Sequence, residues 1–219
     1  MIKIINIINN NYYFGRDNIK NMNSKNTPKL ETERLILRKF DEDDMEALFN
    51  IFKDEEVNVY LPWFPLKSLK EAEKFFYERY VKVYKLDNGY RYAICLKRDN
   101  VPIGYVNVSM DDSHDLGYGL RKEFWHKGIV TEASKAVLEQ IKKDGLLYVT
   151  ATHDIKNPRS GGVVKQLGMS YKYSYEEQWQ PKDILVTFRM YQLNFDGQDD
   201  RVYKEYWDKY RIHFIEKDV

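Results

Sequence analysis

The chain has 219 residues, 43% hydrophobic and 32% charged, with 35 basic against 34 acidic side chains for a net charge of +1. That is enough apolar material for one domain with appendages, and the even balance excludes the electrostatic footprint of a nucleic-acid or anionic-membrane binder. The single cysteine, Cys95, excludes an intrachain disulfide, and no apolar run reaches the length of a membrane span.

Asn6 and Asn9 interrupt the apolar residues of the opening segment, which therefore lacks the continuous stretch of an export signal. Residues 1–26 read as a leader, flexible or preceding the true start, for which Met22 is a candidate. A cytoplasmic location fits both this and the cysteine usage.

Residues 34–40 predict a first strand. The acids Asp41, Glu42, Asp43 and Asp44 follow as a helix start, and Met45, Leu48, Phe49 and Phe52 share one helical face. Pro62 and Pro65 break the chain around Trp63 and Phe64. Ser68 and Glu71 form a capping-box pattern for a second helix, whose face carries Ala72, Phe75, Phe76, Arg79 and Val83. Residues 90–96 and 101–110 predict a hairpin, with Cys95 as a small buried hydrophobe. A further strand covers 115–120 and includes Gly117 and Gly119. A helix follows from about 130 to 144 and stops at Gly145. Residues 147–152 predict a strand. Asn157 and Pro158 start a short helix that ends at Gly168, and strands at 171–175 and 184–193 follow. In residues 201–210 an amphipathic helix puts Val202, Tyr203, Tyr206, Trp207 and Tyr210 on one side, to pack on its own domain or on a second copy. The order is mixed α/β: antiparallel strands first, then a strand–helix–strand crossover.

The informative stretch runs from Leu116 to Ala133, a strand that leads through a short loop into a helix. The first turn of a helix leaves backbone N–H groups without internal partners, and these donors attract an anion. Gly128 lets a phosphate approach the backbone closely. Thr131 offers a hydroxyl and Lys127 a charge.

The segment GYGLRKEFWHKGIVTEA resembles the strand–loop–helix of the GNAT superfamily, and most of all its RimJ/RimL-like branch of ribosomal-protein N-terminal acetyltransferases. The opening ETERLILRKFDEDD and the element from Asn157 to Met169 are similar to that branch too. The three elements stand in the family's order and span most of residues 30–193. The resemblance implies a GNAT domain over 27–193, with 194–219 as a C-terminal helix and tail. It implies a mixed, mostly antiparallel sheet flanked by helices and splayed between the fourth and fifth strands, 115–120 and 147–152. In such a fold the pantetheine arm of acetyl-CoA fills the opening beside Gly119 and Leu120. The pyrophosphate rests on the amides of His126, Lys127, Gly128, Ile129, Val130 and Thr131. Asn157 and Ser160 line the thioester end. Val130 stands where the family usually has Gly or Ala, and His126 replaces a common Gly or Arg; His126 is otherwise a surface histidine.

The resemblance implies transfer of an acetyl group to a primary amine, either a protein N-terminus or a small amine such as an antibiotic. Many members use a tyrosine acid at the place of Val164. The RimL-like branch uses a serine at Ser160, which makes Ser160 the expected acid, or else a helix-capping residue. Glu177, preferred over Glu176, is the expected base. Trp63 and Trp179 are candidates for the substrate mouth, where they flank a cationic amine, or for core packing. The alternative is a CoA-binding or regulatory module without turnover. His114, His126, His153 and His213 have no ligand spacing, so no metal is expected. Neither a nucleic acid nor a membrane is an expected partner; a homodimer is possible.

Overall fold

A computed structural model describes residues 26–219. Its strands form two antiparallel sheets. The first runs in chain order through β1 (Leu30–Glu31), β2 (Leu35–Arg38), β3 (Tyr90–Leu96), β4 (Pro102–Val108) and β5 (Leu116–Leu120). The second has the order β6 (Tyr148–Asp154), β8 (Ile184–Asn194), β7 (Ser170–Trp179), β9 (His213–Phe214). The sheets meet through a single parallel bridge, Asp115 to Thr150.

Local chemistry sets the helix starts. Arg38 reaches from β2 to Asp44 at 2.6 Å, and Asp41 and Asp44 cap the 3-10 turn Glu42–Asp44 reciprocally. This turn feeds helix α1 (Met45–Phe52), followed by the short α2 (Glu55–Asn58). Ser68 accepts from the Glu71 N–H at 3.2 Å to open α3 (Leu69–Phe76), which continues through a wider turn at Tyr77–Val81. The expected box is only half formed, because the Glu71 carboxylate takes the N–H of Lys67 instead of that of Ser68. Helix α4 (Ile129–Lys143) ends ahead of Gly145, whose φ of 91° suits glycine. Asn157 accepts from the Ser160 N–H at 3.3 Å and opens α5 (Pro158–Gln166).

Strand alternation sorts the core into layers. Tyr90, Tyr92 and Ile94 of β3 face α4 in one fully buried cluster with Val137 and Ile141. Ala93 and Cys95 face the other way, under Leu48, Ile51, Phe52 and Ala72 of α1 and α3. Cys95 is a buried hydrophobe as expected, and burial pushes its thiol pKa up to about 12. No helix among the described residues is long and apolar enough to cross a membrane.

Three sequence expectations change in detail. The first strand is shorter, since the Phe40 N–H leaves the sheet to donate to the Tyr84 hydroxyl at 2.9 Å. Strand β7 is longer, because its pairing with β8 continues to Trp179. The C-terminal helix α6 covers only Glu205–Lys209. Upstream of it Tyr203 is held to the sheet by Gln192, whose Oε1 accepts its N–H at 2.8 Å. The five apolar residues singled out in the sequence all pack on β7 and β8 in this chain's own core. The expected leader lies outside the described residues except for Asn26, which donates to the carbonyls of Val83 and Leu86.

Candidate active site

β5 and β6 touch at Asp115 and Thr150 and part beyond them, as the resemblance implied. Hydrogen-bond parity decides which backbone groups face the gap. Ser109 donates to the Asp115 carbonyl at 3.0 Å and Arg121 to the Ile103 carbonyl at 2.9 Å. The odd-numbered residues of β5 are therefore bonded to β4, and Leu116, Tyr118 and Leu120 turn their N–H and C=O groups toward the gap. Across it, the Ile155 N–H donates to Thr187 on β8, which by the same parity turns the backbone of Thr152 inward. A cavity of about 850 Å³ runs through this opening.

At one end of the cavity the loop after β5 leads into α4. Gly128 takes a left-handed φ of 69° and no side chain caps the helix, so its first amides point out with the positive end of the dipole. His126 also has a positive φ, 58°, an uncommon conformation for a residue with a side chain. Arg34 pins the loop: its Nη1 donates to the Lys127 carbonyl at 2.9 Å and its Nε pairs with Glu132 at 2.6 Å. Burial pulls the Glu132 pKa upward, but hydrogen bonds from Thr32 and Arg34 outweigh it and hold the carboxyl below its usual range.

Side chains in the loop behave less simply than their types suggest. Thr131 donates its hydroxyl to Gln166 on α5 at 3.0 Å, so it ties two helices together. Lys127 donates to the Glu123 carbonyl at 2.9 Å. The Val130 side chain packs against the core and Ile129 is buried in it, which leaves their amides as the available groups. Arg159, not singled out in the sequence, stacks on Trp125 with its guanidinium 4.1 Å from the ring centroid. Trp125 in turn donates to the Leu120 carbonyl at 2.8 Å.

Mid-cavity, Ser160 does not cap its helix, because Asn157 does that. The Ser160 Oγ lies 2.9 Å from the Tyr118 hydroxyl, which also reaches the Ser160 carbonyl at 3.1 Å. Burial pushes the Tyr118 pKa well up, so this phenol keeps its proton. Sequence reasoning missed Tyr118, although its place between two glycines of a strand marks it. Val164 is buried in the core, away from this pair's chemistry.

The far end of the cavity is aromatic. Trp63 and Trp179 both line it. Trp63 donates to Asn58 at 3.2 Å and packs edge-on to Phe75 and Phe52. Trp179 leans on Phe188 with centroids 4.8 Å apart. Both residues thus serve packing and the cavity wall together. The Trp63 face is already occupied: the Arg79 guanidinium lies 5.5 Å from its centroid. Glu177 is not brought to the cavity wall. It sits on β7, with β8 between it and β6, and is only 5% exposed with Oε2 buried and unpartnered. The carboxylate that lines the cavity at the base of the gap is Asp115, 3.4 Å from the Thr150 hydroxyl. No cluster of three or more metal-binding side chains occurs among the described residues.

A strand gap with helix amides at one end and a hydroxyl pair at its middle is the layout of an acyl-transfer site. Residues 34–170 match the family described as "Acetyltransferase (GNAT) domain". The chain belongs to that family and is an acetyltransferase. It is similar to two uncharacterized N-acetyltransferases of Bacillus subtilis (strain 168). YoaA is 28% identical over 146 residues, 64% of this chain and 82% of that protein. YnaD is 26% identical over 144 residues, 64% of this chain and 81% of that protein. Among solved structures, RimL, a ribosomal L7/L12 alpha-N-protein acetyltransferase in complex with coenzyme A, superposes with a TM-score of 0.67 at 18% identity. The match covers 76% of this chain and 98% of that one.

Proposed function

We propose that this chain binds acetyl-CoA in the gap between β5 and β6 and transfers the acetyl group to a primary amine, on a small molecule or a protein N-terminus. The observation that carries this is the run of backbone groups facing the gap, those of Tyr118 and the N–H of Leu120, continuous with the uncapped start of α4. Donors fixed in the backbone need no reorganisation when a ligand arrives, which favours binding and rate alike. The RimL structure, solved with coenzyme A, supports the donor. The amides of residues 126–131 would hold the pyrophosphate, and Asn157 and Ser160 would border the thioester.

In this reading the amine attacks the carbonyl carbon, a C–N bond forms and the C–S bond breaks. Ser160 gives its proton to the departing thiolate and is reprotonated from solvent, while Tyr118, whose hydroxyl lies 2.9 Å away, holds the serine hydroxyl in place. The base that accepts the amine's proton is a carboxylate. Asp115 lines the cavity and is favoured over Glu177, which does not line it.

The test is calorimetric titration of acetyl-CoA into the wild-type protein and into Gly128→Glu, followed by thiol-release assays with amines and peptide N-termini. Binding lost in the variant, with turnover of at least one amine by the wild type, supports the proposal. A folded wild type that does not bind acetyl-CoA defeats it. Binding without turnover of any amine favours a regulatory module instead.

A further inference from the structure

Arg79 and Arg91 stand on the aromatic side of the cavity without a carboxylate partner. Arg91 rises from β3 in register with Asn107 on β4, which is in register with Gly117 on β5. A Cβ added to Gly117 would meet nothing within 4 Å, so this row floors open space. Two atoms of the row, Arg91 Nε and Asn107 Oδ1, are buried with no hydrogen-bond partner.

Arg79 comes down from the helical layer onto the same space. Its guanidinium lies 5.5 Å from the Trp63 centroid and 5.7 Å from that of Phe75. Aromatic faces hold a guanidinium in place and leave its charge uncancelled. Both arginines line one cavity; burial, and then the charge of Arg91, lower the Arg79 pKa. The acids of the cavity are engaged elsewhere. Asp111 accepts from Ser113, Glu56 pairs with Lys122, Asp115 faces Thr150, and Asp154 accepts from the Lys156 N–H at 2.8 Å. Glu78, beside Arg79 in the chain, acts on it only through space. None of the ion pairs among the described residues involves Arg79 or Arg91.

Paired cations without a counter-charge, in a cavity rather than on the surface, are stabilised when a ligand supplies the anion. We infer that the acceptor is a small primary amine that also carries a carboxylate, an amino-acid-like molecule, with its carboxylate held by Arg79 and Arg91. This inference rests on the acetyltransferase reading above and narrows its acceptor. The arginine fork matches a carboxylate in shape as well as charge. Two strand spacings, about 10 Å, separate β3 from β5. Arg91 and Gly117 line the same cavity across that distance, which suits an amine and a carboxylate a few bonds apart. The aromatic walls favour an apolar body between them. A polyamine is disfavoured, because the ring that would receive its cation already carries Arg79.

The experiment measures thiol release from acetyl-CoA with the proteinogenic amino acids, their carboxamides, and spermidine and phenethylamine as amines without a carboxylate. We expect one or more free acids to exceed the matched carboxamide in kcat/KM by roughly 10- to 100-fold. Arg79→Gln and Arg91→Gln should each erase that preference mainly through KM, and Arg91→Lys should restore part of it. All three variants should bind acetyl-CoA as the wild type does, which also reports that they fold. Equal or better turnover of carboxamides or carboxylate-free amines overturns the inference, as does an unchanged preference in both glutamine variants. Turnover of none of the free acids overturns it as well. Calorimetry with acetyl-CoA on the same sample then tells whether the donor reading failed with it.

Discussion

The two ends of the cavity are built from different materials. The end at α4 is made of backbone: amides of a helix start, strand edges of β5 and β6, and a glycine held at φ 69°. The end beneath α1 and α3 is made of side chains, with Trp63, Phe75, Arg79 and Arg91 projecting from three separate elements. A backbone site serves a ligand part that does not vary, because its donors cannot be exchanged by substitution. A side-chain site can be re-cut for each acceptor while the donor half stays fixed.

That contrast can be broken by changes of matched size. The largest effect is expected from Gly128→Glu, which adds a bulky anion and forces a side chain into the left-handed region; acetyl-CoA affinity should fall at least ~100-fold by calorimetry. Gly117→Ala, at the open end, should leave that affinity unchanged, since the added methyl meets empty space. Next comes Ser160→Ala, expected to lower kcat about 100-fold or more with acetyl-CoA binding intact. Tyr118→Phe should follow in the same direction with a smaller loss. Asp115→Asn should reduce kcat more than Glu177→Gln in the same thiol-release assay; the reverse order would return the base role to β7.

Smaller effects concern the frame that holds the two ends together. A Cβ on Gly104 would overlap the Gly119 carbonyl oxygen and the Leu120 side chain across the β4–β5 pair. Gly104→Ala should cost about 1–3 kcal/mol of stability, read as a lower denaturant midpoint. The smallest is a pH effect. Burial, the largest cause, lowers the pKa values of His114 and His153 from 6.5, so the folded state holds both rings neutral. Their contribution is complete above pH 6.5 and is lost as the pH falls below it, because the unfolded chain then binds the protons more readily. Thermal melts should therefore decline below pH 6.5, and a His114→Asn, His153→Asn double variant should show a flatter slope over that range.

Helix starts are legible in the chain because their signals are local. Ser68, Asn157 and Gly128 act within three residues of themselves, so the segment from Leu116 to Ala133 reads as strand, loop and helix from its residue types alone. The same locality makes the position of Ser160 legible, on a helix whose first turn is written in Asn157 and Pro158. Glu177 is legible only as a carboxylate on a late strand. It stays off the cavity wall although Trp179, two residues on along the same strand, is part of that wall, an outcome of long-range packing that no spacing in the chain encodes.

Element types, helix faces, the family resemblance and the strand–loop–helix from Leu116 to Ala133 are legible in the residues alone, because periodicity, caps and turns are short-range physics. The partners across the gap come from the three-dimensional fold. It joined Tyr118 to Ser160 over 42 positions, set Asp115 at the base of the opening, and brought Arg79 and Arg91 to the wall of one cavity. A lone arginine in the apolar strand YRYAICL is a visible oddity of the chain. What makes it a candidate site is that strand register puts Asn107 and then Gly117 beside it, and register is fixed by long-range pairing that a linear pattern does not contain.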